Sequence, residues 1–218
     1  MDLSEIAKPL PVRANEDAPV TEIEKPEIPA AQTSPIRPWR TKSSRRLLHD
    51  QWLTVRADDC VTADGVEISP YYVIEYPDWA VVVALDSDDN LVLVEQYRHA
   101  LGVVSLELPG GGVDADDADP VAAAARELRE ETGFVAKRWQ YVGRLAANPA
   151  SQTNLCHIVL AFDAVQVAGP LVDPKEEIHV LRMPVRDVIT LALEGRIVQS
   201  IHVAALTMAL HKAGKWQP

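Results

Sequence analysis

The loop Pro109-Gly110-Gly111-Gly112 and the helical segment that follows it restrict this chain more than any other part of it. The segment has a proper helix start, because Asp119 is a good N-cap and Pro120 suits the first helical position. Ala122 to Ala125 are strong helix formers, and Gly133 ends the run as a C-terminal glycine should. On such a helix Glu127 lies three residues before Glu130 and four before Glu131, so three carboxylates share one face. Like charges at that spacing repel, and a surface helix gains nothing from them. A divalent cation removes the repulsion. Hard oxygen ligands on a rigid element suit Mg²⁺ or Mn²⁺, which accept carboxylates together with phosphate oxygens of a substrate. Without a Cβ at the glycines, the preceding backbone can approach a ligand or metal closely.

The segment Arg126-Glu127-Leu128-Arg129-Glu130-Glu131-Thr132-Gly133-Phe134, with Gly112 ahead of it, resembles the signature of the Nudix hydrolases. Its second half matches at every specified position. One position departs: where the signature carries its first glutamate, this chain has Ala118. Asp116, Asp117 and Asp119 surround that position and could supply charge. The resemblance runs over about residues 47–213 and is similar to the ADP-ribose pyrophosphatase branch. It is carried there by Leu91 to Arg98, Leu106 to Gly111, Asn148 to Asn154 and the Glu176-Glu177-Ile178 region.

The resemblance implies Mg²⁺-dependent hydrolysis of a nucleoside diphosphate sugar, ADP-ribose first among them, to a nucleoside monophosphate and a sugar phosphate. It implies that Glu127, Glu130 and Glu131 hold the metal, with the Gly111 carbonyl as a further ligand. Arg126 would keep a glutamate in position through a charged hydrogen bond. A general base is expected on a late loop, where Glu176 and Glu177 both qualify. A homodimer is implied as well. The rival function is a non-catalytic nucleotide-sugar-binding module, which Ala118 favours and the three intact glutamates oppose.

The 218 residues, 47% of them apolar, suffice for one domain with a core and an extension. The formal charge of −11 argues against a nucleic-acid-binding protein that works through a phosphate-neutralising face. No apolar run is long enough to cross a bilayer and no secretory leader is visible, so no membrane partner is expected and the cytoplasm is the default location. Cys60 and Cys156 lie far apart without metal-ligand spacing and read as reduced, partly buried thiols.

Residues 1–46 hold Pro9, Pro11, Pro19, Pro26, Pro29, Pro35 and Pro38, with few large apolar side chains. Such a segment cannot bury enough surface to offset its ordering entropy, so it is expected to be a disordered extension with a basic end at Arg37, Arg40, Lys42, Arg45 and Arg46. Residues 47–218 are expected to form the Nudix-type domain, an α/β/α sandwich around a mixed sheet. Strands are predicted at Trp52 to Ala57, Ile68 to Tyr76, Trp79 to Leu85, Leu91 to Gln96, Ser105 to Leu108, Trp139 to Leu145, His157 to Phe162 and Ile178 to Met183. Helices follow at Val185 to Glu194 and Gln199 to Lys212.

Further candidates each have two readings. Arg98 follows a buried-looking strand and could bind a phosphate bidentately, or form a surface ion pair. Glu107, at the mouth of the glycine stretch, could touch metal or substrate, or bond to the loop. Trp52, with Tyr72 and Trp79, could stack on a base, though early aromatics more often pack in cores or dimers. Asn148 and Asn154 could line a sugar site or simply make a turn.

Overall fold

A computed structural model describes residues 36–171 and 177–216. These fall into two compact units, one running to Tyr76 with Pro149–Thr153 added, the other comprising Pro77–Asn148 and the chain from Asn154 onward.

The first unit is an antiparallel sheet of β1 (Arg40–His49), β2 (Thr54–Val61) and β3 (Glu67–Glu75), with β2 in the middle. Asp50 organises the β1–β2 turn: its Oδ1 accepts from the backbone N–H groups of Trp52 at 2.7 Å and Leu53 at 3.0 Å. Trp52 therefore sits in the bend ahead of β2 instead of beginning that strand. Strand structure is also present ahead of Leu47, where the sequence implies none. Arg40, Lys42, Arg45 and Arg46, assigned above to the extension, belong to β1, and all but Lys42, which falls at a register shift, pair with β2. The strand was missed because most of its residues are polar and exposed, so it has no apolar alternation to reveal it. Its register comes from backbone pairing with β2, beside which Ser43 Oγ donates to Asp59 Oδ2 at 2.6 Å. The rest of the expected extension, residues 1–35, lies outside the described residues.

The second unit contains β4 (Trp79–Ala84), β5 (Asn90–Arg98), β6 (Val103–Glu107), β7 (Gly110–Gly112), α1 (Pro120–Thr132), β8 (Phe134–Val135), β9 (Arg138–Ala146), β10 (Leu155–Phe162), β11 (Val165–Gln166), β12 (Ile178–Pro184), α2 (Val185–Leu193) and α3 (Ser200–Lys212). One sheet has the order β7-β4-β10-β9. It is mixed, because β4 and β10 run parallel while the other neighbours are antiparallel. A second sheet, β12-β5-β6, is antiparallel, and β8 pairs with β11.

The continuous apolar run of β4 is explained by burial on both faces. Val81, Val83 and Leu85 share a core with Val188 and Ile189 of α2 and Leu206 and Leu210 of α3. Ala80, Val82 and Ala84 share another with Ala123, Ala124 and Leu128 of α1. Helices thus cover both faces of the sheet, as the expected α/β/α sandwich requires. Each fully buried Leu or Val contributes roughly 1.5–3 kcal/mol. On the α1 side the facing residues are largely alanine, which lets that helix lie close to β4. Both cysteines are buried and unpaired. Burial pushes the Cys156 thiol up to about 12, so it stays protonated and inert. Among the described residues no helix is long and apolar enough to cross a membrane.

Candidate functional site

The expected glycine loop is instead a strand from Gly110 to Gly112, because its backbone pairs with β4. In β7, Gly112 pairs with Trp79, Gly111 with Ala80 and Gly110 with Val81. A Cβ on Gly110 would stand 2.2 Å from the Ala80 carbonyl oxygen, so only glycine permits this backbone approach. Helix α1 then returns over the same strands. Its start is capped by Asp119, whose Oδ1 accepts from Val121 N–H at 2.8 Å and Ala122 N–H at 2.9 Å. At the other end Gly133, at φ +72°, donates its N–H to the Arg129 carbonyl at 2.9 Å. With both ends fixed, Leu128 enters the core while Glu127 and Glu131 face β7.

Glu131 is nearly buried, and its Oε2 accepts from Gly110 N–H at 2.8 Å. The Glu127 carboxylate lies directly against Gly111, where an added Cβ would come within 2.5 Å of Oε1. Glu130 is more open, its side chain 45% exposed. Arg126 links the group. Its Nη1 donates to Glu127 Oε1 at 2.7 Å and to Glu130 Oε2 at 3.1 Å. Its Nη2 donates to the Gly112 carbonyl and to Asp117 Oδ2, both at 2.9 Å, while Nε reaches Asp117 Oδ1 at 3.2 Å. The Asp117 bonds, then those to the glutamates, push the guanidinium pKa far up, and Arg126 in turn holds the Asp117 carboxyl below its usual range. The arginine is therefore a fixed positive charge held by three carboxylates and one carbonyl.

Among the described residues no three acidic, histidine or cysteine side chains stand already gathered as a metal cage. Their chemistry nevertheless fits a divalent cation. Every donor is a hard oxygen, and the space a Cβ would fill at Gly111 is taken by a carboxylate. The structure brings together the sequence-predicted Gly111, Arg126, Glu127, Glu130 and Glu131. Asp117 enters the group as an unselected member, since three aspartates near Ala118 were equivalent on sequence alone.

The other candidates lie elsewhere. Arg98 and Glu107 form a bidentate pair, Nε to Oε1 at 2.9 Å and Nη2 to Oε2 at 2.6 Å. These bonds join the two candidates to each other: the partner of Glu107 is the Arg98 side chain, where its second reading named the loop. Burial would raise the Glu107 carboxyl, but the Arg98 bonds and the nearby charges outweigh it and hold it below its ordinary value. Beneath the pair lies His202, which sequence reasoning passed over. Burial drives its pKa down to about 4, and its Nδ1 accepts from Leu108 N–H at 3.1 Å. Arg98 and Glu107 also line an open cavity of about 250 Å³ with Leu101, Ser105, Val198 and Gln199. Trp79 packs against the core beside His202, their ring centroids 5.9 Å apart. Trp52 belongs to the first unit and is exposed. Asn154 precedes β10, and its Oδ1 is buried without a hydrogen-bond partner among the described residues. Glu177 is exposed just ahead of β12, whereas Glu176 lies outside the described residues.

Comparison with known proteins bears on the same segments. The NUDIX domain matches residues 76–203, and the nucleoside diphosphate sugar hydrolase N-terminal domain matches residues 39–74. An ADP-ribose pyrophosphatase of Mycobacterium tuberculosis is 32% identical over 169 residues, covering 77% of this chain and 81% of that protein. A CMP-5'-(N-acetyl-N-hydroxy-3-aminopropyl)phosphonate hydrolase of Streptomyces rubellomurinus is 31% identical over 173 residues, covering 79% and 82%. Among solved structures, an ADP compounds hydrolase superposes with a TM-score of 0.72 at 23% identity, covering 84% of this chain and 100% of the other, a likeness of fold.

Proposed function

We infer the activity from the premise that this chain belongs to the Nudix family and is a hydrolase of that family, similar to the ADP-ribose pyrophosphatases. The reaction proposed is hydrolysis of the pyrophosphate bond of a nucleoside diphosphate sugar, with ADP-ribose as the first substrate to try. The observation that carries this reading is the α1 face, where Glu127, Glu131 and Arg126 are held against the backbone of β7.

Glu127, Glu130, Glu131 and the Gly111 carbonyl are the groups that would hold Mg²⁺ or Mn²⁺. Such a cation, when bound, draws charge from phosphoryl oxygens whose repulsion otherwise keeps a nucleophile away. The protein's own residues supply the positioning. Arg126 fixes the rotamers of Glu127 and Glu130, and Gly110 fixes Glu131 through its N–H. Hydrogen bonds of this kind keep carboxylates in place without reorganisation during the reaction. Glu177 is exposed and is the base candidate among the described residues; Glu176 is the other. A homodimer belongs to the same reading.

The test is phosphate release, coupled through a phosphatase, with ADP-ribose, other nucleoside diphosphate sugars, a cytidine monophosphate ester and nucleoside triphosphates, each with Mg²⁺. Preference for a diphosphate sugar is expected, with kcat lowered about a hundredfold or more by Glu131→Gln or Glu127→Gln while the far-ultraviolet spectrum is unchanged. Turnover of the triphosphates or the monophosphate ester alone would overturn the substrate assignment.

A further inference from the structure

The Nudix signature leaves one position of this chain unexplained: Ala118 stands where a glutamate is expected. The structure shows Ala118 exposed, while the adjacent Asp117 turns inward with its side chain only 9% exposed. Asp117 meets the Arg126 guanidinium edge-on through two nearly parallel bonds, the arrangement that fixes an arginine most firmly. The remaining donors of that guanidinium go to Glu127, Glu130 and the Gly112 carbonyl. Asp114 also approaches Arg126, at 3.3 Å, but its side chain is 69% exposed and the contact is weak by comparison. Asp117 has a second task. Its Oδ2 accepts from Asp114 N–H at 2.9 Å and its own N–H donates to the Asp114 carbonyl at 3.1 Å, closing the turn that leads into α1.

We propose that Asp117 is the positioning residue of this site, taking over the place left by Ala118 and acting through Arg126 to set Glu127 and Glu130 for a divalent cation. Without it, Arg126 keeps its charge but loses the anchor that directs Nη1 at the two glutamates. The guanidinium then competes with the cation for those carboxylates instead of orienting them. The inference rests on the reading of the glutamates as metal holders, and it concerns how this particular chain tolerates its departure from the signature.

The test measures metal binding directly, with Mn²⁺ followed by electron paramagnetic resonance on the full-length chain, alongside hydrolysis of ADP-ribose. Asp117→Asn keeps one acceptor for the Asp114 turn but loses the charge and the paired geometry. It is expected to weaken Mn²⁺ about tenfold and to lower kcat more than it raises KM, with Asp117→Glu recovering part of the loss. In an Arg126→Lys background, which cannot form the paired bonds, the same substitution should add little. A fall in Tm with unchanged Mn²⁺ affinity would reduce Asp117 to a loop-closing residue and overturn the inference. So would effects of Asp117→Asn and Arg126→Lys that simply multiply, since the route through Arg126 would then be absent. A wild-type chain that binds no Mn²⁺ would overturn the reading of the glutamates beneath it, which separates the two failures.

Discussion

At the scale of single residues, His202 couples the fold to pH. Its ring is buried on α3 and its Nδ1 must be unprotonated to accept from Leu108 N–H. The unfolded chain protonates histidine near 6.5, whereas burial lowers the folded value to about 4. Between those values the unfolded state binds more protons, so stability falls as pH drops through that window and is fully present above it. At about 1.4 kcal/mol per unit the effect is on the order of 3 kcal/mol. Glu107, held below its ordinary value, acts in the same sense at lower pH. Urea unfolding at pH 7.5, 6 and 5 should show this slope, and His202→Asn should flatten it between pH 6.5 and 5. An equal slope in both chains would mean that other groups carry the acid sensitivity. Nothing in the sequence marks His202 for this role, because a lone histidine in an apolar helix reads as packing. Asp117 was visible only as one of three aspartates; the turn back to Asp114 selects it, and that turn is a matter of backbone path.

At the scale of elements, the glycines of β7 give three different expectations from three adjacent positions. An alanine at 110 would drive its Cβ into the Ala80 backbone, which cannot yield, and should cost about 2–3 kcal/mol in denaturant unfolding. At 111 the obstacle is the Glu127 carboxylate, a side chain that can move, so Gly111→Ala should leave stability nearly intact and cut activity at least tenfold. At 112 nothing lies within 4 Å of the added methyl, and stability should change by no more than about 0.5 kcal/mol. Equal costs at all three would mean that β7 needs flexibility rather than close approach. Legibility followed the same physics. Buried β4 and β10 and capped α1 announce themselves through apolar runs and end signals. By contrast β7 is all glycine, a residue that strands disfavour, and β1 is polar and largely exposed, so neither leaves a pattern. Among the described residues β1 starts at Arg40, ahead of the expected Leu47.

At the scale of the whole molecule, a formal charge of −11 faces a proposed substrate that is itself an anion. The proposed site answers this locally, with a divalent cation, but the field of the remaining charge reaches farther than the ion does. The Debye length is about 30 Å at 10 mM salt, so an approaching anion feels most of that charge; near 150 mM it is about 8 Å, and only charges close to the site still matter. Raising monovalent salt across this range should therefore remove repulsion and leave the local attraction mostly in place. With free Mg²⁺ held constant, kcat/KM for ADP-ribose is expected to rise about twofold or more, through KM rather than kcat. A fall over the same range would mean that nearby cationic side chains already dominate the field on the substrate's path. Arg98, whose side chain is 46% exposed beside Glu107, is then the first charge to neutralise.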